Sequence, residues 1–418
     1  MSDNDTSFHD KCLTAACRSC RHEGLLPVLD LGMMPLSDGF LTESQLAQPD
    51  QRYPLEVAYC PECTLVQLLY TVPPVKLFCE DYPYYSSVSD ALLAHSRKNA
   101  MNLIATRKLG PASLVVELAS NDGYLLKNFV EQGIPVLGID PAEGPAQVAQ
   151  RIGVPTMIEF FGQDLAGRLR DHGTRADVII GNNVLAHVAD TNGFVQGIRI
   201  LLKDDGVAVI EAPYLRDLIE CCEFDTIYHE HLCYFSVLAL DRLFRQNGLF
   251  LNDIERLSIH GGSLRLYVGR RENVQDSVRR LRRQERELGM DQPEYYRDFA
   301  LRVGRIRQAM QDLLAGLKAR GSRIAAYGAA AKGTIMLNYL GIGVETVAFV
   351  VDRNIHKQGK YVPGVRIPIS DPARLLQEMP DHVVILPWNF KDEILSQQQA
   401  YRQRGGLFII PIPAPAVV

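Results

Sequence analysis

The chain has 418 residues, 47% of them hydrophobic and 22% charged, with a formal net charge of −5. That length exceeds one ordinary core and predicts two or three domains. The near-neutral, mixed charge removes the electrostatic case for nucleic-acid binding, and no apolar run is long enough for a membrane span. The start, MSDNDTSFHDK, is polar and lacks a signal-peptide core, so a cytoplasmic location is the expectation.

Residues 1–75 hold many turn residues, short apolar runs and two Cys-x-x-Cys pairs, Cys17-Arg-Ser-Cys20 and Cys60-Pro-Glu-Cys63. The nine cysteines are an odd set in a chain expected in a reducing compartment, which disfavours a disulfide framework. Each pair places two thiolates on one side of a tight loop, and two such loops can close a tetrahedral cage around Zn2+. With all four positions filled by protein, the metal is expected to be structural and to help a loop-rich domain fold. Redox thiols and unligated cysteines are the competing readings, and Cys12 is a weaker alternative ligand.

From about residue 90 to 250, strand-like runs alternate with helical stretches, which predicts a parallel sheet with helices on its faces. The first run ends in Glu117. A small-residue turn follows, with Ala119, Asn121, Asp122 and Gly123, and then a helix. This arrangement sets backbone N–H groups and a ligand crevice at the carboxyl end of the strand. Asp140 ends the next strand and is placed for a ribose diol. A dinucleotide fingerprint, G-x-G-x-x-G, is absent. The pattern resembles motifs I and II of class I S-adenosylmethionine-dependent methyltransferases; an ordinary doubly wound α/β turn is the alternative. On this reading Phe160 and Phe161 lie against the adenine. Asn182 and His187 follow the fourth strand, where the cofactor's methionine end and the substrate meet.

The stretch DTIYHEHLCYFS, residues 225–236, admits a metal site, an acid/base site or a polar turn. His229 and His231 lack the i, i+4 spacing of helical metal pairs, and on a strand Glu230 would point away from both. Acid/base work suits the set better, because histidine titrates near neutrality and Tyr and Glu can orient it or relay protons.

Residues 275–320 are charged with helical period and read as a solvated linker. A second α/β unit follows, with strands at 322–327, 347–351 and 383–386. Tyr327-Gly-Ala-Ala-Ala-Lys-Gly333 opens a helix whose N-terminus, with Lys332, favours a nucleotide diphosphate. His260, Gly261 and Arg265 offer a glycine turn with a cation nearby. Asp352 and Trp388 lie at similar strand ends and are further candidates for nucleotide contact.

In order along the chain come Cys-x-x-Cys, LDLGMMPLSDGFL, Cys-x-x-Cys, EDYPYYSSVSD, VVELASNDGYLL, IYHEHLCYFS, HGGSLRLYV and YGAAAKG. This ordered set resembles the bacterial nucleotide-sugar C-methyltransferases, which act on 4-keto deoxysugars and include a tetronitrose-pathway 3-C-methyltransferase. The resemblance implies an α/β protein with a zinc-binding domain (1–75), a central class I methyltransferase Rossmann-like domain (76–270), a helical linker (271–320) and a C-terminal Rossmann-like nucleotide-sugar-binding domain (321–418). It implies S-adenosylmethionine as cofactor, structural Zn2+, a TDP-linked 4-keto-deoxyhexose as substrate, and a place in deoxysugar or antibiotic biosynthesis. The family's catalytic sequence falls on Tyr228, Glu230 and His231, its upstream active-site tyrosine on Tyr82, and its active-site histidine on His187. His231 is then the general base that removes the C3 proton. The loop of the tetronitrose-pathway member reads Glu-Ile-Gly-Cys-Asn-Asp-Gly where this chain has Glu-Leu-Ala-Ser-Asn-Asp-Gly, and Asp140 stands for a Glu. An O- or N-methyltransferase on a related sugar, a zinc-ribbon nucleic-acid-binding protein and an NAD-binding dehydrogenase domain at 320–418 are the competing functions.

Overall fold

A computed structural model describes residues 16–78 and 84–418, with the His260 side chain excepted. Cys12, Tyr82 and the His260 side chain therefore lie outside the described residues.

The N-terminal unit is a four-stranded antiparallel sheet. Its first three strands are β1 (Leu26–Pro35), β2 (Arg52–Tyr59) and β3 (Val66–Leu68), neighbours in that order. The fourth place is taken by a strand from the middle of the chain, as described below.

The central unit is a seven-stranded sheet. Its parallel part comprises β4 (Val115–Leu118), β5 (Val136–Ile139), β6 (Thr156–Met157), β7 (Ala176–Asn182) and β8 (Leu202–Pro213). All four residues of β4 are buried, as expected for a parallel strand covered on both faces. A two-residue strand, β9 (Cys233–Tyr234), leaves this unit and pairs with β3, completing the N-terminal sheet. Strand β10 (Phe250–Leu257) and strand β11 (Ser263–Gly269) close the edge, with β11 inserted antiparallel between β8 and β10. The order is β10-β11-β8-β7-β4-β5-β6. The order therefore reverses at β4, between β5 and β7, where a ligand crevice is expected.

The C-terminal unit is a six-stranded sheet of β12 (Ile324–Tyr327), β13 (Val350–Val351), β14 (Ile369–Ser370), β15 (His382–Ile385), β16 (Leu407–Ile410) and β17 (Ala416–Val417). Its order is β14-β13-β12-β15-β16-β17, parallel except for the last pair.

The helices Asp276–Glu287 and Glu294–Ala319 correct the expectation of a solvated linker. The longer one buries Tyr296, Phe299, Val303, Ile306, Met310, Leu314 and Leu317, a stripe at spacings of three, four and seven. The shorter one sends Glu285 into the interior, where its carboxylate accepts from the Tyr214 hydroxyl at 2.9 Å and from the amides of Val237 and Leu238 at 2.7 and 2.9 Å. The run of charge in the shorter helix, DSVRRLRRQERE, drew the reading of the whole segment and hid this stripe in the longer one.

The three units interlock. The Thr334 hydroxyl donates to the Ser37 carbonyl at 2.9 Å, and Leu41 bridges Tyr361. Among the described residues, no helix is long and apolar enough to cross a membrane.

Candidate active site

The two cysteine pairs converge. Cys17, Cys20, Cys60 and Cys63 hold their sulfur atoms within 4.8 Å of one another, and none is in a disulfide. The Cys17–Cys63 and Cys20–Cys60 sulfurs are 3.4 and 3.5 Å apart. Tetrahedral zinc with sulfur at about 2.3 Å has edges of about 3.8 Å. The two loops are built alike. Arg21 donates to the Cys17 carbonyl and Thr64 to the Cys60 carbonyl, at 3.0 and 2.9 Å, and both donors have positive φ, 65° and 64°. Such paired knuckles fit a structural Zn2+ held by four thiolates, with no position left for a substrate.

The cofactor crevice opens at the carboxyl ends of β4 and β5, which lie side by side with Glu117 opposite Gly138. Both carboxylate oxygens of Glu117 are buried and have no hydrogen-bond partner among the described residues. Burial drives its pKa well above the usual carboxylate value, and the nearby Asp140 and Asp122 push the same way. A buried, unpartnered carboxylate in a crevice fits a cationic ligand group, as the ammonium or sulfonium of S-adenosylmethionine would supply. Asp140 accepts from the amides of Asn121 and Ala142, each at 2.8 Å, and so ties the two strand ends together. Gly138 is required by close approach: a Cβ there would meet Ser120 Oγ at 2.5 Å and Thr156 Oγ1 at 2.8 Å. Ala119 and Asn121 both sit in the left-handed region, with φ of 57° and 49°.

The segment from Tyr84 to Ser87 folds onto this loop. The Ser86 and Ser87 amides donate to Asn121 Oδ1 and Asp122 Oδ2 at 2.9 and 3.1 Å, and the Asn121 amide group donates to the Tyr84 carbonyl at 3.1 Å. Phe160 is 43% exposed, whereas Phe161 packs edge-on against Phe194 at 5.4 Å. Asn182 ends β7, in register with Glu211. Tyr124, not singled out from sequence, directly follows Gly123 and is buried; burial, with Glu117 nearby, raises its pKa well above the usual tyrosine value.

The histidines meet beside this crevice. His187 closes the one-turn 3-10 helix Leu185–His187 after β7, and His231 follows the turn that leads into β9. Their rings are 4.9 Å apart at 71°. The Tyr228 ring lies 4.0 Å from that of His231, and Phe78 lies 5.6 Å from His187. His231 Nδ1 is 2.9 Å from the Thr226 carbonyl, which can only accept. The neutral imidazole therefore carries its proton on Nδ1 and its basic lone pair on Nε2. Burial, with His231 alongside, holds the His187 pKa well below the usual histidine value, so His187 is neutral at pH 7.

His229 points elsewhere. It is 1% exposed, meets the Tyr53 ring edge-on at 5.8 Å, and burial lowers its pKa to about 4. Glu230 is also buried, and its carboxyl is pushed well above the carboxylate range by burial and by Asp38, against the pull of Lys357. Lys357 is 3.9 Å from Asp38 and donates to the Ala329 carbonyl at 2.8 Å. Glu230 therefore sits where all three units meet, a juxtaposition with no signal in the local sequence.

Of the substrate candidates, Tyr327, Lys332, Asp352 and Trp388 gather at the carboxyl ends of β12, β13 and β15, whereas Gly261 and Arg265 belong to the central unit, and several side chains are already engaged. Arg265 faces Glu211 across β11 and β8 and binds it at 2.7 Å, with Glu255 on its other nitrogen at 3.0 Å. These ion pairs tie β11 to β8 and β10. Lys332 donates to Asn389 at 3.1 Å and lies 4.8 Å from the Trp388 ring centroid. Trp388 donates its indole N–H to Asp225 at 2.8 Å. Asp352 accepts from the amides of Ala329 and Asn354, both at 2.7 Å. Tyr327 is buried at the end of β12, and Gly261 approaches the Glu223 carboxylate so closely that a Cβ would lie 2.7 Å from its oxygens.

Comparison with known proteins agrees with this architecture. Three family models match in succession: a zinc binding domain over residues 17–78, a methyltransferase domain over 93–252 and a C-methyltransferase C-terminal domain over 258–413. The chain is 34% identical over 405 residues to the C-methyltransferase NovU of Streptomyces niveus, covering 96% of each chain. It is 26% identical over 143 residues to the ubiquinone biosynthesis O-methyltransferase of Azorhizobium caulinodans, covering 34% of this chain and 52% of that protein. The magnesium protoporphyrin IX methyltransferase of Synechocystis PCC 6803 with bound SAH aligns at a TM-score of 0.34 and 18% identity, over 43% of this chain and 83% of that one. A zinc-fitted cysteine cage, a class I methyltransferase sheet and a C-methyltransferase C-terminal domain thus occur in one chain, and the protein belongs to the family of S-adenosylmethionine-dependent C-methyltransferases.

Proposed function

We propose that the protein methylates the carbon next to the ketone, C3, of a TDP-linked 4-keto-deoxyhexose. One observation carries the chemistry: the Thr226 carbonyl holds the Nδ1 proton of His231, which leaves Nε2 as the base. A carbon becomes nucleophilic when a neighbouring carbonyl acidifies its proton. His231 Nε2 takes that proton from C3, and the electron pair moves into the enolate at O4. Neutral His187 and the hydroxyl of Tyr228 are the nearby groups able to donate a hydrogen bond to the developing oxyanion. Glu230, whose carboxyl burial pushes well above the carboxylate range, is a third candidate donor. S-adenosylmethionine, when bound, supplies the sulfonium methyl that the enolate carbon takes up. Glu117 faces its charged end, Asp140 its ribose, and the crevice fixes the distance between methyl and carbon, which is the main contribution of the protein to that step. The nucleotide rests at the carboxyl ends of β12, β13 and β15, near Tyr327, Asp352 and the Gly261 turn. The name of the Streptomyces relative supports the C-methyl outcome; the motif resemblance supports the keto sugar.

The test is mass spectrometry with S-adenosylmethionine and TDP-4-keto-2,6-dideoxyhexose in D2O. Wild type is expected to yield one carbon-bound methyl and, without methyl donor, to exchange deuterium into C3. His231→Asn is expected to reduce both to a small residual rate. Methylation on oxygen, or methylation without exchange, would overturn the enolate route, and an inert wild type over a wider sugar panel would overturn the substrate class.

A further inference from the structure

We infer that Trp388 and Asp225 are positioning residues for the base: a buried latch through which the C-terminal sheet holds the turn that orients His231. The inference rests on the reading of His231 as base and goes beyond it, to a part of the molecule expected to meet the nucleotide.

Trp388 is the one tryptophan in the chain, and Asp225 is the first residue of DTIYHEH. They are 163 positions apart, yet the indole N–H donates to Asp225 Oδ2 at 2.8 Å. Asp225 is fully buried and Trp388 is 9% exposed. A hydrogen bond to a carboxylate in so dry a place is stronger than in water, and removing its donor leaves the charge less well compensated. The indole is itself held from its ring side by the Lys332 ammonium, 4.8 Å from the centroid, which in turn donates to Asn389. Lys332 also offsets the Asp225 charge, so the cation expected at a diphosphate serves the latch.

Asp225 lies at the centre of the 3-10 turn Phe224–Thr226. That turn is rigid. The Thr226 amide and hydroxyl both donate to the Glu223 carbonyl, at 3.0 and 2.7 Å, and the Ile227 amide donates to the Phe224 carbonyl at 3.1 Å. Phe224 is fully buried and packs at 5.2 Å against Tyr339 of the C-terminal unit. The carbonyl of Thr226, the last residue of this turn, receives the Nδ1 proton of His231. The path from Trp388 to the imidazole is therefore two hydrogen bonds with one stiff turn between them. Displacing the turn moves the acceptor that sets the tautomer and aim of the ring. Misplacing a catalytic group by about 1 Å can lower a rate by about a hundredfold.

The experiment compares wild type, Trp388→Phe and Asp225→Asn, with His231→Asn as reference and the double variant Trp388→Phe/His231→Asn. Trp388→Phe keeps the ring packing and deletes only the donor. We expect kcat and C3 deuterium exchange to fall roughly 10- to 100-fold, with the dissociation constant for S-adenosylmethionine unchanged by calorimetry. In the His231→Asn background the same substitution should cost nothing further, because its effect runs through the imidazole. Asp225→Asn retains an acceptor and should recover part of the rate, and its emission from the sole tryptophan should shift relative to wild type. Equal losses in both backgrounds, or a wild-type rate in Trp388→Phe, would overturn the latch. Should His231→Asn remain fully active, the base assignment fails by itself. The latch is then judged on the Nδ1 proton resonance of His231, which must move in Trp388→Phe and must not move if the latch is absent.

Discussion

The amide of Leu232 donates to the carbonyl of Ala186 at 2.8 Å, and its carbonyl accepts from the amide of Leu68 at 2.9 Å. One residue thus ties the turn after β7, the segment after Tyr228 and the zinc-bearing sheet together. Its first bond places His231 beside His187. Its second makes the position of both depend on a sheet whose far end is held by four cysteines.

Removal of zinc should therefore reach the chemistry. Cys60→Ser takes one thiolate from the cage and leaves the loop around Thr64 without its anchor. We expect metal analysis to fall from one zinc per chain to a fraction of that. Turnover should drop about tenfold or more as β3 and β9 loosen and the imidazoles lose their spacing. A zinc-free variant with full turnover would show that the cage and the base are independent.

His187 offers a sharper test of the oxyanion site. Its ring is neutral at pH 7 because burial and the neighbouring His231 both oppose its charge. A neutral imidazole donates a hydrogen bond without quenching the adjacent base. His187→Phe keeps the packing against Phe78 and removes the donor. We expect kcat to fall about 100-fold, the usual cost of one oxyanion donor, with little change in binding of S-adenosylmethionine. An unchanged kcat would move the donor role to Tyr228 or Glu230.

His229 should govern acid stability instead of catalysis. Its pKa is about 4 in the folded protein against 6.5 when exposed. The unfolded chain therefore binds a proton that the native state refuses. The stability contributed by neutral His229 is complete above pH 6.5 and is lost as the pH falls toward 4, by up to about 3 kcal/mol. In His229→Phe, which keeps the edge contact with Tyr53, this part of the pH dependence should vanish. Urea midpoints at pH 7.5 and 5 measure it: the gap between the two pH values should be smaller in the variant than in wild type.

The contrast between His229 and His231 shows what local pattern reveals. Alternation placed the two side chains in one polar stretch, and their opposite fates depend on Tyr53 and Thr226, which no spacing rule connects to them. The cysteine knuckles, the β/α alternation and the acidic strand ends at Glu117 and Asp140 were legible because each is a short-range pattern with one physical solution. The glycine-rich neighbours of Arg265 suggest a ligand loop, and its pairing with Glu211, set by strand register, had no signal in that local pattern. Glu230 with Asp38 and Lys357, and Asp225 with Trp388, are contacts between distant segments. They arise only once three sheets have docked.

Glu117 should separate stability from cofactor binding by sign. Its carboxylate is buried without a partner among the described residues, and burial raises its pKa well above the usual range. In the cofactor-free protein such a group opposes folding, since a carboxylate removed from water without compensation costs free energy. Glu117→Gln removes the charge at nearly constant volume, so the cofactor-free variant should melt at a higher temperature than wild type. With S-adenosylmethionine the order should reverse. Loss of a buried partner for a cationic group costs about 2–5 kcal/mol, so calorimetry should show the dissociation constant rising by roughly 30-fold or more. Thermal shift with and without cofactor reads both effects on one sample. A variant that is both less stable alone and unimpaired in binding would place the Glu117 carboxylate in the structural framework and leave the cationic end of the cofactor to another residue.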